Sequence, residues 1–191
     1  MDKVLLIKIP ARLDALAVRR IRAALSTGGL PLDVDVCVAV ELDASYVYCR
    51  TRDNDLPALE IARARAATVC PGGSRTVSLD GMLHLRSEPH EAHAPWHYIV
   101  ETDVAPESEQ DFNDWYTREH MPGLAAVPGT VRADRYLCKD GTPRYYACYD
   151  LITRETLGSP PWLAVRGTHW SSRVRPAFRN TKRTMFARLC D

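Results

Sequence analysis

The segment DFNDWYTREHMPGLAAVP, residues 111–128, gathers side chains that can move protons beside an aromatic surface. At helical spacing Phe112, Trp115, Tyr116 and Glu119 share one face, and Asn113 and His120, about two turns apart, project together along its edge. An imidazole titrates near neutrality, which suits His120 to general acid or base work. Asn113 is spaced to orient that ring or to hold a substrate carbonyl, and Glu119 reads as a buried acid. Trp115 and Tyr116 are candidates for the wall of a substrate site. A structural reading uses the same residues. It puts His120 at a helix C-terminus, where a partly positive imidazole is favoured, and makes Trp115 and Tyr116 core.

Strand parity supplies further candidates. In HYIVETDV, residues 97–104, His97, Ile99 and Glu101 share one face and Tyr98, Val100 and Thr102 the other. In RYYACYDL, residues 144–151, Arg144, Tyr146, Cys148 and Asp150 oppose Tyr145, Ala147, Tyr149 and Leu151. If the mixed-polarity faces line the site, His97, Glu101, Arg135, Tyr146 and Asp150 contact substrate or form a cross-strand ion-pair network. If the tyrosine faces do, the site suits a flat aromatic ligand. Arg173, Arg175, Arg179, Lys182 and Arg183 crowd around Trp170 and Phe178. Arg173 is the candidate anchor for a substrate carboxylate, the alternative being a solvated basic face. His90, His93 and His97 resemble a metal-binding comb, but Pro89 and Pro95 interrupt any helix that would align them, and no metal site is expected. There is no glycine-rich phosphate loop and no nucleophile elbow.

The elements that must position these residues repeat once along the chain. Val4 to Ile9 is an apolar strand closed by Pro10, and Leu13 to Leu25 has helical periodicity ended by Gly28 and Gly29. LDVDVCVAVEL and SYVYCR read as a hairpin, Leu56 to Thr68 as a helix and Arg75 to Leu85 as a strand. The order is β-α-β-β-α-β. After SEPHEAHAPW, residues 87–96, it starts again. A strand at 97–104 precedes a helix from Ser108 to about His120, where Met121-Pro122-Gly123 should break or bend it. Strands at Val131–Cys138 and Arg144–Leu151 flank an Asp140-Gly141 turn, followed by a helix at 160–166 and a strand near 183–189. The expected fold is α+β: two ferredoxin-like βαββαβ units, 1–86 and 97–191 with 87–96 as linker, their antiparallel sheets packed face to face as an α/β barrel.

Composition narrows the function classes. Of 191 residues, 25 are Lys or Arg and 24 Asp or Glu, a net charge of +1 that leaves no general attraction to nucleic acid or anionic lipid. No apolar run reaches the ~20 residues that span a bilayer, and charges interrupt the N-terminal apolar stretch, so a cytoplasmic protein is expected. The six cysteines are scattered singly and read as small core hydrophobes.

The run NDWYTREHMPGLAAVPGTVRADRY, then RYYACYDL and SPPWLAVRGTHWSSRVRPAFRNTKRTMF, resembles the EthD-type branch of the dimeric α/β-barrel superfamily over about residues 97–189. Asp114, Trp115, Glu119, His120, Pro122, Pro128, Gly129, Arg135 and Tyr136 match its motif, whereas Thr130 stands where the branch usually carries an aromatic. The resemblance implies a helix histidine beside a cavity between sheet and helix. It also implies a superfamily of cofactor-free isomerases, cyclases and monooxygenases, together with haem-handling proteins. The resulting expectation is a cofactor-independent isomerase, lyase, dehydratase or monooxygenase acting on an aromatic, cyclic or lactone acid by His120-mediated proton transfer. No cofactor is expected; the partner is a small-molecule substrate, with homodimerisation open. The alternatives are a haem-binding or haem-degrading protein with His120 as axial ligand, and a non-catalytic binding or assembly module.

Overall fold

A computed structural model describes residues 2–51, 55–87 and 94–189. The chain divides into two compact units, one of Met1–Gly81, Cys138–Gly141 and Met185–Asp191, the other of Met82–Leu137 and Thr142–Thr184. Most of the segment read as a linker, with His90 and His93, lies outside the described residues.

In the first unit β1 (Lys3–Ile9) pairs antiparallel with β3 (Ser45–Thr51) and with the first part of β4 (Arg75–Arg86). β3 also pairs with β2 (Leu32–Ala39), which takes the end of β8 (Phe178–Arg188) on its other edge. Helices α1 (Ala15–Ser26) and α2 (Leu56–Val69) begin at Asp14 and Asp55, whose side chains accept the Ala17 and Ala58 N–H groups. Val18, Ile21 and Leu25 fall on one face of α1 and pack with Leu5, Ile7, Val36 and Val47 from the strands. Each such side chain removed from water contributes about 1.5–3 kcal/mol, which is how alternation in the strands and 3.6-periodicity in the helices become one core.

The second unit places β7 (Tyr145–Leu151) between β5 (Trp96–Val104) and β6 (Thr130–Leu137), and every residue of β7 is buried. Its helical segments are α3 (Glu109–Trp115), α4 (Met121–Ala125), α5 (Pro160–Arg166) and α6 (His169–Val174). The helix expected to stop near His120 instead continues. A π-helical turn, Tyr116–His120, joins α3 to α4, with the Met121 N–H reaching back five residues to the Tyr116 carbonyl. That wide turn has already left the i→i−4 ladder, so Pro122 sits in the first turn of α4 where its missing N–H is tolerated. The sequence reading also passes over α6, capped by Thr168, and starts β8 too late, at 183 rather than 178.

Two glycines permit close approach. Gly123 lies against Val165, so α4 comes near α5, and a Cβ there would stand 2.8 Å from Val165 Cγ1. Gly129, at φ +95°, closes the Val-Pro-Gly turn beside Thr156, with which a Cβ would collide. Among the described residues no helix is long and apolar enough to cross a membrane, and Cys37, Cys49, Cys138 and Cys148 are buried.

Candidate functional site

The second unit carries a cavity between its sheet and its helices. It offers about 380 Å³ of empty space, the open solvent at its mouth included. The strands contribute Tyr98, Val100 and Tyr149. The helical segment contributes Trp115, Tyr116, His120 and Leu124; Trp162 and Phe178 complete the aromatic walls, and Arg166, Arg175 and Arg183 supply charge. Parity is thereby resolved: the face of Tyr98 and Tyr149 meets the cavity, and by alternation His97, Glu101, Tyr146 and Asp150 lie on the opposite face of the sheet.

His120 owes its position to the π-helical turn. In a regular α-helix residues five apart point in different directions, but in the wide turn they come into register, and His120 stacks on Trp115 with ring centroids 4.1 Å apart and planes at 22°. Tyr116 meets the imidazole edge-on at 5.3 Å. The residue is 7% exposed and its Nδ1 has no hydrogen-bond partner among the described residues. Burial, then the charges of Arg166, Arg175 and Arg135, push its pKa from 6.5 down to about 3, so the ring is neutral at physiological pH. The extra residue in the turn also moves His120 off the line of Asn113, so the pairing drawn from helical spacing does not form.

Asn113 serves another group. Its Oδ1 accepts a hydrogen bond from Arg135 Nη2 at 2.6 Å, and its Nδ2 donates to the Tyr145 hydroxyl at 3.4 Å. Arg135 is 1% exposed and lies outside the cavity wall, with its guanidinium 4.4 Å from the Tyr116 ring centroid, 5.0 Å from Phe112 and 5.2 Å from Tyr145. Burial lowers its pKa, and Nε and Nη1 have no partner, so aromatic faces replace a counter-ion. Glu119 is half-buried and committed: it accepts from Trp115 Nε1 at 3.1 Å and from Thr168 Oγ1 at 2.6 Å. It therefore locks the indole on which His120 stacks and does not itself line the cavity.

The remaining sequence candidates fall elsewhere. His97 Nδ1 is hydrogen-bonded to Asp150 Oδ1 at 2.7 Å across β5 and β7, so the one described member of the histidine comb is held by a carboxylate. Glu101 lies opposite Tyr146 in the same ladder. Arg173 forks onto Asp111 at 2.7 and 3.0 Å, tying α6 to α3 beside Trp170, instead of reaching into the cavity. The cavity arginines are Arg166, which the sequence reading does not single out, and Arg175 and Arg183 of the basic stretch. Trp162 was also missed; it is 1% exposed and its Nε1 has no partner. Its signal is faint, one aromatic after a Pro-Pro pair in a short helix.

The arrangement is the aromatic pocket of a ferredoxin-like unit, with one neutral buried base and a cationic rim. The fold is α+β with antiparallel strands, shared with solved ferredoxin-like structures. A candidate monooxygenase from Fusobacterium nucleatum superposes with a TM-score of 0.70 at 13% identity over 99% of this chain and 93% of its own. One from Lactobacillus acidophilus gives 0.69 at 11% over 98% and 94%, and a haem-degrading enzyme from Listeria monocytogenes 0.58 at 9% over 97% and 98%. The chain matches no protein-family model and no curated protein. Beside His120 the space is taken up by the rings of Trp115 and Tyr116, a setting that does not fit haem.

Proposed function

We propose that this protein is a cofactor-independent enzyme of the EthD-like branch that acts on a flat aromatic, cyclic or lactone acid by proton transfer through His120. One observation carries the reading: a buried, neutral imidazole with an unpartnered Nδ1 in the wall of an aromatic cavity. At neutral pH His120 is in the form that accepts a proton. The proton leaves a carbon next to a carbonyl, the electron pair of the broken C–H bond remains on the substrate as an enolate, and Nδ1 takes the proton. The indole N–H of Trp162 and the Tyr116 hydroxyl, whose pKa burial raises to about 12, are protonated donors for the enolate oxygen. Return of the proton at another carbon completes an isomerisation. With dioxygen as oxidant the enolate carbon gains an oxygen, a CH₂ becomes C=O, and the second oxygen atom leaves as water. Glu119 is a positioning residue, acting through Trp115.

A panel of cyclic and aromatic keto and lactone acids incubated in D₂O tests the reading by the exchange of an activated C–H, followed by NMR. His120→Gln should slow exchange about 10²-fold or more, and an oxygen electrode separates oxygenation from isomerisation. Exchange that survives at the wild-type rate in His120→Gln refutes the role of His120.

A further inference from the structure

The cavity mouth brings together Arg166, Arg175 and Arg183, from α5, from the turn after α6 and from β8. Arg166 is half-buried and the other two are exposed. Among the described residues none of the three side chains makes an ion pair or a hydrogen bond, although most other arginine side chains of this unit are so engaged: Arg132 with Asp134, Arg144 with Glu109, Arg173 with Asp111. No carboxylate lines the cavity, and the nearest acid on its helical wall, Glu119, already holds Trp115 and Thr168. The cations feel one another: burial, then the charges of Arg166 and Arg183, lowers the pKa of Arg175. On a chain with a net charge of +1, three cations at one rim without a counter-charge are a local departure from balance. Beneath them stand two buried, unpartnered nitrogens, Trp162 Nε1 and His120 Nδ1.

We infer that Arg166, Arg175 and Arg183 form a carboxylate subsite at the mouth of the cavity, and that the ligand is a planar ring acid whose ring lies between the aromatic walls with its charge at the rim. Guanidinium forks match carboxylate oxygens in pairs, and the walls of Tyr98, Trp162 and Phe178 suit a flat ring rather than a phosphate ester or a branched aliphatic acid. This deepens the proposed function and rests on its placing the reaction in this cavity. It also gives the rim a consequence for His120: an arriving anion offsets the guanidinium field that helps suppress its basicity, so the base strengthens when substrate is present. The charged or titratable groups around the ring are Arg166, Arg175, Arg183, Arg135, Tyr98, Tyr116 and Tyr149, and no carboxylate among them opposes the effect.

Benzoate and benzamide, alike in shape and different in charge, are the probes, with inorganic phosphate as a third. Binding is read by calorimetry and by quenching of Trp115 and Trp162 in the full chain. Benzoate should bind at least tenfold more tightly than benzamide. Arg166→Gln, Arg175→Gln and Arg183→Gln should each weaken benzoate about tenfold and leave benzamide unchanged, with melting temperatures equal to or slightly above wild type, since each removes like-charge repulsion. Arg118→Gln, an exposed arginine outside the cavity, should change neither. Equal binding of benzoate and benzamide, no binding of benzoate, unaltered benzoate affinity in the arginine variants, or a melting temperature several degrees lower in them overturns the subsite. A preference for phosphate over benzoate overturns its assignment to carboxylates. His120→Gln that binds benzoate normally yet retains full exchange activity refutes the proton-transfer reading and leaves the subsite standing. Arginine variants with undiminished benzoate binding, beside an inactive His120→Gln, do the reverse.

Discussion

Lowering the pH from 7 to 5 puts a proton on an ordinary histidine of the unfolded chain but not on His120 in the fold. Its pKa falls from 6.5 to about 3, first because burial removes the water that would solvate the cation, then because Arg166, Arg175 and Arg135 repel it. A depressed folded-state pKa gives stability that is full above the unfolded value. That stability is lost as pH falls from 6.5 towards 3, because across that window the unfolded state binds the extra proton. The slope is about 1.36 kcal/mol per pH unit, so this one residue removes about 2 kcal/mol at pH 5, or about 4–8 °C in Tm for a chain of this size. Other groups titrate in the same range and cancel when wild type is compared with His120→Gln, whose amide does not titrate. The four tryptophans, Trp96, Trp115, Trp162 and Trp170, all belong to the second unit, so urea unfolding followed by tryptophan fluorescence reports on the part that holds the ring. Wild type should lose about 2 kcal/mol more than the variant between pH 7 and pH 5. A pH dependence that is the same in both proteins would mean that His120 protonates freely in the fold, and the buried-base account would be wrong.

Two further substitutions probe the supports of the site. Glu119→Ala removes the acceptor of Trp115 Nε1 and Thr168 Oγ1, and should cost about 1–3 kcal/mol in urea unfolding and shift tryptophan emission; a stability within 0.5 kcal/mol or so of wild type would show that the clamp is idle. Gly129→Ala and Gly158→Ala place a Cβ at nearly the same φ, +95° and +90°, but only at position 129 does it strike a neighbour, Thr156. Gly129→Ala should therefore lose at least about 1 kcal/mol more than Gly158→Ala by thermal melting, and equal losses would put the whole effect in backbone strain.

The βαββαβ order is legible because its signals are local: apolar runs in β1 and β7, helical periodicity ended by Gly28 and Gly29 in the first helical stretch, Asp140-Gly141 between two strands. Three features of the site are illegible for distinct physical reasons. A wheel drawn at 3.6 residues per turn cannot contain the π-helical turn, so it groups His120 with Asn113 when the chain groups it with Trp115. Strand parity divides residues into two sets but does not say which set the helices cover; Tyr98 and Tyr149 were named only as an alternative. The basic stretch contains the right kind of residue, yet Arg173 and Arg175 differ only in what they meet. Asp111, 62 positions away from Arg173, neutralises one, and among the described residues none neutralises the other.

That last contrast is what the proposed carboxylate subsite rests on. Arg135 and Arg166 both lie on the aromatic side of the unit, but the first is sealed under Phe112, Tyr116 and Tyr145 and held by Asn113, whereas the second opens onto the cavity. Arg135 does not line the cavity and acts on His120 through its field. The arginines at the mouth act on it too, but their field can be offset by whatever binds there. The basicity of His120 therefore has a fixed part, set by burial and Arg135, and a variable part, set by occupancy of the rim. On the proposed function, a base kept weak in the empty cavity and strengthened by a bound anion stays unprotonated until an acidic carbon acid binds.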